Sequence, residues 1–403
     1  MDIKQMKVFR FALLSHVLPP SPSGQAVMLY RILAGVDAEQ YYLIDSGQAT
    51  SSDLQTAEDR FRLLSKYYSL SSEQVSSHTN LFGISHVLSI LTFFVQVIAR
   101  SRNILEVLQR EPYTSSIIAC SGDLVNIPAS FLASRFARIS FYAYIFDDYV
   151  FQWTGSSRWI ARLITPFIVK HSDGVIGPNE FILEEYKQRY GIKLTLVRNP
   201  CDANELGKEP YSPWPDQKDK IKIIYTGAIY HANYDCFRNL LHAMDVLSEY
   251  PLELHIFTAQ TSKQLQEQGI AGEKIIVHSH TPYDEILKQQ RKADILFLPL
   301  AFESPIPEVI RTSSPGKLGE YLASGRPVLA HAPADSFVAN YCSKHECAGI
   351  AKQNDAVSLA QHLKHLITNK KFRARIISNA LSQSQADFSP QHAREKLIQF
   401  LNA

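Results

Sequence analysis

The sequence predicts an α/β protein built from two parallel-sheet domains, and three observations carry that expectation. Short apolar runs alternate with helix-period segments along the whole chain, the pattern of parallel strands joined by right-handed helical crossovers. At 403 residues the chain is longer than one hydrophobic core ordinarily serves. Near its middle, Asp202 to Lys220 carries Pro210, Pro213 and Pro215 among charged residues without periodicity, which is linker composition. We therefore expect a first domain over 1–205 and a second over 206–388. A final helical segment over 389–403 has an apolar side that needs somewhere to pack.

In the first half, strands are expected at Val8–Leu14, Tyr41–Ile44, Ser116–Cys120, Ile139–Ile145, Gly174–Ile176 and Leu194–Val197. In the second half they fall at Ile221–Tyr225, Leu252–Phe257, Lys274–Val277, Ile295–Leu298, Pro327–Ala330 and Ala348–Ala351. One segment, Leu81 to Ala99, is apolar and long enough to be weighed as a membrane span. Its polar residues Ser85, Ser89, Thr92 and Gln96 form one narrow helical stripe, which suits a buried or membrane-resting helix better than a spanning one.

The formal net charge is only +2, and no block of like charges appears, so a nucleic-acid partner is not expected. Five scattered cysteines suggest reduced thiols and a cytoplasmic setting. Met1–Lys7 lacks the basic stretch and apolar core of a signal peptide.

In open α/β sheets ligands bind beyond the carboxyl ends of the strands, which directs attention to the residues after each strand. The most informative run is Ser313-Ser314-Pro315-Gly316-Lys317-Leu318-Gly319-Glu320-Tyr321-Leu322-Ala323-Ser324-Gly325-Arg326-Pro327-Val328-Leu329. Ser314 suits a helix N-cap, Pro315 the first helical position and Gly325 the helix end. Free N–H groups at Gly316, Lys317 and Leu318 would suit a diphosphate, with Gly316 allowing close approach. Lys317 is unfavourable for the helix itself in this first turn, a local conflict that a bound anion would relieve. Glu320, one turn on, could accept two hydrogen bonds from a ribose diol. A capped surface helix with an ordinary Lys and Glu is the plainer alternative.

This run resembles the donor-binding signature of retaining glycosyltransferases of the GT-B fold, in the large family four (glycosyl transferases group 1). The resemblance extends over most of the chain. Leu18-Pro19-Pro20-Ser21-Pro22-Ser23-Gly24 looks like that family's first loop, whose glycine lies near the donor phosphates. Ser172-Asp173-Gly174-Val175-Ile176-Gly177-Pro178-Asn179 and Val197-Arg198-Asn199-Pro200-Cys201-Asp202 resemble the end of its first domain. Tyr225-Thr226-Gly227 is similar to its phosphate-side loop, and Ala293 to Pro299 to the strand before the signature. The resemblance implies two Rossmann-like domains facing across a cleft, with the C-terminal helix crossing back to the first domain. It also implies transfer of a hexose or similar unit, with retention, from a nucleoside diphosphate sugar such as a UDP or GDP sugar. The acceptor would be a sugar or lipid-linked hydroxyl in cell-surface polysaccharide or glycoconjugate synthesis. The scheme needs no metal or cofactor beyond the co-substrate.

The implied donor-site residues are Gly24, Gly227, His278, Ser279, Ser314, Gly316, Lys317, Leu318 and Glu320. Lys317 neutralises the diphosphate and Glu320 holds the ribose. Two departures stand out. Where many members have a first glutamate contacting the sugar, this chain has Thr312, with Glu303 and Glu308 nearby as substitutes or as plain solvated loop residues. The basic residues usual after the glycine matching Gly227 are absent, since Ala228-Ile229-Tyr230-His231 follow. Lys317, helped by Arg311 or Arg238, is then the main diphosphate cation.

In the first domain Asp147-Asp148 follows a strand, where the family often has His-Asp. The pair could orient an acceptor hydroxyl or stabilise developing positive charge, or one Asp could simply cap the following turn. His278-Ser279-His280 would border the base; a metal pair there is a weaker reading than loop histidines. His16 could face the cleft or only satisfy local hydrogen bonds. Arg158-Trp159 to Lys170 and Phe93 to Arg102 combine aromatic and basic residues, compatible with helices packed on a sheet and with peripheral contact at the inner face of a membrane. A non-catalytic nucleotide-sugar-binding partner and a sugar-nucleotide epimerase on the same fold are the alternative functions.

Overall fold

The structure, a computed structural model, describes residues 9–21, 23–47, 61–70, 84–201, 214, 220–279 and 281–403, without the side chains of 84–88. Val8, Pro22, residues 81–83, the side chain of Ser85, His280 and most of the expected linker lie outside what is described. The chain forms two compact units, one of Met1–Arg198 with Gln391–Ala403 and one of Asn199–Pro390. Residues 199–201 are tied to the second unit: the Asn199 side-chain amide donates to the Ser314 carbonyl at 2.8 Å, and the Cys201 N–H to the Phe388 carbonyl at 2.9 Å.

The first unit runs β1 (Phe11–Ser15), α1 (Gly24–Leu33), β2 (Tyr41–Asp45), β3 (Lys66–Ser69), α2 (Ile84–Arg110), β4 (Ser116–Cys120), α3 (Asn126–Ala137), β5 (Ser140–Tyr144), α4 (Gly155–Lys170), β6 (Gly174–Gly177), α5 (Glu180–Tyr190) and β7 (Leu194–Leu196). Its seven strands lie in the order β3-β2-β1-β4-β5-β6-β7 and every pairing is parallel. Strands such as Phe11–Ser15 are buried along their whole length because helices cover both faces, so they read as continuous apolar runs rather than alternating ones. The strand order reverses between β1 and β4, which makes the end of β1 the topological switch point.

The second unit runs β8 (Ile221–Thr226), α6 (Tyr234–Val246), β9 (Leu252–Phe257), α7 (Ser262–Glu267), β10 (Ile275–His278), α8 (Tyr283–Lys292), β11 (Ile295–Pro299), α9 (Pro307–Thr312), α10 (Lys317–Ala323), β12 (Val328–His331), α11 (Phe337–Lys344), β13 (Gly349–Ala351), α12 (Ala356–Thr368) and α13 (Lys370–Asp387). Six parallel strands follow the order β10-β9-β8-β11-β12-β13, with the switch between β8 and β11. The last helix, α14 (Pro390–Leu401), belongs to the first unit. Its Leu397 and Phe400 pack with Phe11, Leu33 and Tyr142 on the face of the sheet that α1 covers. Phe400 occupies the space that a side chain at Gly174 would need, and Arg394 fills the corresponding space at Gly35 while donating to the Ile32 carbonyl at 3.1 Å.

The twelve expected strands are present, with ends shifted by up to three residues. A thirteenth, β3, was not expected. Lys66–Ser69 is half exposed and among the described residues pairs with β2 alone, at the sheet edge, so no apolar run announces it.

Candidate functional site

The donor motif begins differently from the expectation. α10 starts at Lys317, with Gly316 in helical conformation at the capping position and no side-chain cap. Leu318 N–H donates to the Pro315 carbonyl at 2.9 Å, so it is not free for a ligand. Ser314 is likewise not a side-chain cap; its carbonyl accepts the Asn199 amide. The chain leaves α9 extended and turns through Pro315 and Gly316 before the helix begins, which displaces the start by two residues. The helix end is as expected, with Gly325 at φ +74°.

What α10 positions is Lys317. It arises between β11 and β12, and its side chain reaches the end of β8: a Cβ built on Gly227 would lie 2.6 Å from Cε and 2.7 Å from Nζ. Gly227 holds φ +119°, and its N–H donates to the Phe257 carbonyl at 2.7 Å. The ammonium sits 5.3 Å from the centroid of the buried Tyr225 ring. Among the described residues no carboxylate pairs with it. A half-buried ammonium at the switch point of a parallel sheet, over a glycine, is chemically an anion-binding group.

Glu320 is 7% exposed and its carboxylate is fixed from both sides. Tyr283 OH donates to Oε1 at 2.5 Å, and the fully buried Gln290 donates from Nε2 to Oε2 at 3.2 Å. Gln290 also reaches Thr226 Oγ1 at 3.2 Å, and the Thr226 N–H donates to Tyr321 OH at 3.1 Å. Glu320, Gln290, Thr226 and Tyr321 thus form one polar network beneath Gly227, in a place where each group needs a partner to be buried. Tyr283 and Gln290 belong to this site although nothing in their local sequence marks them.

Around that centre, the 228–231 loop is clamped by Gln260, which accepts from Ile229 N–H and donates to its carbonyl, both at 2.7 Å. Asp235 Oδ2 accepts from the N–H groups of Phe302 and Glu303 at 2.7 and 2.8 Å, fixing the loop after β11. Thr312 is buried, with its hydroxyl given to the Glu308 carbonyl at 3.1 Å. Glu308 lies one turn earlier on α9, and its Oε2 is buried without a hydrogen-bond partner among the described residues. Glu303 is exposed and accepts from Asn354 at 3.3 Å. Arg238 turns its guanidinium to the Gln268 carbonyl at 3.3 Å, on an exposed edge.

His278 and Ser279 end β10. The His278 ring stacks 4.1 Å from Phe257, and its Nε2 is 3.0 Å from His255 Nδ1. Burial, reinforced by His255, pushes its pKa down, so the ring is neutral at neutral pH and occupied along the sheet. Ser279 is exposed.

In the first unit, Asp147 and Asp148 separate. Asp148 is 1% exposed; its Oδ1 accepts from Val150 and Phe151 N–H at 2.9 and 3.2 Å, and its Oδ2 pairs with Arg189 at 2.5 Å. That saturates the carboxylate, and Asp148 caps its turn as the alternative reading of the pair has it. Asp147 is half-buried, has no bonding partner among the described residues, and has its carboxyl pushed up to about 6 by burial and then by the charge of Asp148. His16 follows β1 at the switch point, packed against Gly122, where a Cβ would lie 2.3 Å from its Cε1. Its Nδ1 is buried without a partner among the described residues, and burial pushes its pKa down against the pull of Asp123. Gly24 starts α1 beneath the Ser23 cap; a Cβ there would meet nothing within 4 Å, so the unit's own packing does not require glycine at this position.

Residues 220–369, the sheet that carries this site, match the family model described as glycosyl transferases group 1. No curated protein matches the chain in sequence. Among solved structures, a glycosyltransferase from Rickettsia africae superposes with a TM-score of 0.68 at 12% identity, covering 98% of this chain and 97% of that one. Sucrose-phosphate synthase from Thermosynechococcus elongatus gives 0.67 at 11% identity, covering 98% of each chain. HepE from Anabaena in complex with UDP and glucose gives 0.66 at 13% identity, covering 98% of this chain and 100% of that one. Likeness over nearly the whole chain establishes the fold as two Rossmann-like α/β domains of the GT-B kind.

Proposed function

We propose that the protein is a glycosyltransferase that moves a hexose or similar sugar from a nucleoside diphosphate sugar to an acceptor hydroxyl, retaining anomeric configuration, in cell-surface polysaccharide or glycoconjugate synthesis. The observation that carries this reading is Lys317: an ammonium without a carboxylate partner among the described residues, held against a positive-φ glycine at a switch point. Beside it stands a carboxylate fixed by Tyr283 and Gln290. The match of this unit to glycosyl transferases group 1, and the UDP in the HepE complex, support a nucleotide sugar as the ligand.

On this reading Lys317 meets the charge that grows on the diphosphate as the sugar–phosphate bond breaks, an effect worth roughly 3 kcal/mol, or a hundredfold in rate. Glu320, its two oxygens oriented by neutral donors, accepts from the ribose hydroxyls. Glu308 supplies the sugar contact that Thr312 lacks, because a buried carboxylate oxygen without a partner is costly until a ligand hydroxyl satisfies it. In the first unit Asp147, not Asp148, is the strand-end carboxyl available to an acceptor hydroxyl.

The test is a panel of labelled UDP and GDP sugars incubated with wild type, Lys317→Ala, Glu320→Ala and Glu308→Gln, with melting curves for each. Slow release of free sugar by the wild type, lowered about a hundredfold or more by Lys317→Ala at unchanged melting temperature, is the expected outcome. Isomerised donor would make the protein an epimerase, binding without turnover a non-catalytic partner, and equal turnover in Lys317→Ala would remove the proposed site.

A further inference from the structure

The first unit carries a surface that the donor site does not use. Of thirteen large apolar side chains exposed among the described residues, eight lie on α2, α3 and α4, which are mutual neighbours on one face of the sheet. Isolated exposed apolar residues are ordinary, but contiguous ones mark a contact surface. On α2, Leu91, Phe94, Val95 and Ile98 are each about half exposed and fall on one helical stripe, which continues to the exposed Arg102. The opposite side of the same helix buries Phe93, Val97 and Ile104 in the core. The polar residues Thr92 and Gln96 occupy only a narrow flank between these two apolar faces.

On α4 the pattern repeats. Trp159, Leu163 and Phe167 are 52%, 57% and 60% exposed at successive turns, flanked by exposed Arg162 and Lys170. Phe167 rests edge-on against Phe131 of α3, which anchors the stripe to the core below. The charge on these helices is one-sided: α2, α3 and α4 together hold seven basic residues and a single acidic one, Glu106, in a chain whose net charge is only +2. Among the described residues, Arg102, Arg162 and Lys170 make no ion pair. Helices in such crossovers run back against the strands. The apolar stripe of α2 and Trp159 therefore lie toward the edge of the unit at which His16 and Asp147 emerge.

We propose that this face docks the protein on an anionic lipid bilayer, with the apolar stripes of α2 and α4 entering the headgroup boundary and Arg102, Arg162 and Lys170 meeting lipid phosphates. Apolar side chains flanked by unpaired cations, with an aromatic anchor and almost no acid, are the composition of a helix lying in a membrane interface. A protein partner would call for several carboxylates or hydrogen-bonding groups on this face to fix its orientation, and against seven cations and eight exposed apolar side chains these helices set a single carboxylate, Glu106. The inference stands apart from the donor site and does not rest on it.

The full-length protein is sedimented with vesicles of phosphatidylcholine alone and with vesicles containing about one-third phosphatidylglycerol. We expect binding to the anionic vesicles, little to the neutral ones, and release at about 1 M salt, where the Debye length falls to about 3 Å. Each basic side chain near an anionic surface strengthens binding about fivefold, so Arg162→Gln with Lys170→Gln should weaken it roughly 25-fold. Leu163→Ser with Phe167→Ser should weaken it at least as much. Arg162, Leu163 and Lys170 are exposed and Phe167 loses only its edge contact with Phe131, so melting curves should shift little. Failure of the wild type to bind anionic vesicles, or binding that ignores both pairs of substitutions, overturns the proposal. So does a wild-type dimer in sedimentation equilibrium that Leu163→Ser with Phe167→Ser converts to a monomer, because a second copy would then cover the face. Binding of UDP, titrated in the same preparations, reports on the donor site separately.

Discussion

Replacing Gly227 with alanine probes the donor site where its geometry is tightest. The residue sits at φ +119°, and holding a side chain in such a conformation costs of order 1–3 kcal/mol. The new Cβ would lie 2.6 Å from Lys317 Cε and 2.7 Å from Nζ, so the ammonium must move. Movement is cheap for the end of a flexible side chain, which leaves the backbone term to set the loss of stability. It is not cheap for a bound anion. Shifting Nζ from roughly 3 to roughly 4.5 Å from a phosphate oxygen, at an effective dielectric constant of about 20, loses about 2 kcal/mol, or roughly twentyfold in affinity. Calorimetry should show a melting temperature lowered by roughly 2–10 °C, and titration with UDP a matching loss of binding. Lys317→Met should lose binding without the melting shift. A Gly227→Ala variant that melts lower yet binds UDP as tightly as wild type would detach Lys317 from the anion and refute the reasoning.

The two adjacent aspartates of the first unit should respond in opposite directions. Asp148→Ala removes the acceptor of two N–H groups and leaves the Arg189 guanidinium to Glu185 alone at 3.2 Å, and urea unfolding should show a loss of about 2–4 kcal/mol. Asp147→Asn should stabilise instead. Its carboxyl pKa is raised from 3.8 to about 6, so the folded state holds the proton longer than the unfolded chain. Asp147 therefore subtracts stability as pH rises from about 4 to about 6, reaching about 3 kcal/mol above that window. The variant should match wild type near pH 4 and exceed it at pH 7 by up to that amount; a difference that does not change with pH would show that Asp147 is solvated.

Much of this architecture is legible from the chain because parallel strands covered on both faces must be continuous apolar runs. That is why Phe11–Ser15 or Ile295–Pro299 can be read without help, and why the half-exposed Lys66–Ser69 cannot. The signature from Ser313 to Leu329 is equally local, and it points to Lys317 and Glu320. Its limits are physical too. Whether Asp147 or Asp148 is committed to structure depends on Arg189, about forty residues further on. The oxygens of Glu320 are set by Tyr283 and Gln290 from a different helix. The start of α10 shifts because Leu318 finds the Pro315 carbonyl, a short-range bond that composition does not announce. Helical periodicity in Leu81–Ala99 identifies a wide apolar surface, but only the packed fold divides it into a buried side and an exposed one.

The position of α14 bears on how the molecule is made. During synthesis the first unit emerges lacking the side chains that fill the spaces over Gly174 and Gly35, and these arrive only with Phe400 and Arg394. The part of the sheet face beside α1 therefore stays open while the entire second unit is translated, and the second unit can close on itself first. A chain cut short by a dozen residues would keep every residue of the donor site, yet it would leave the opening domain with bare hydrocarbon on its sheet, vulnerable to aggregation and proteolysis.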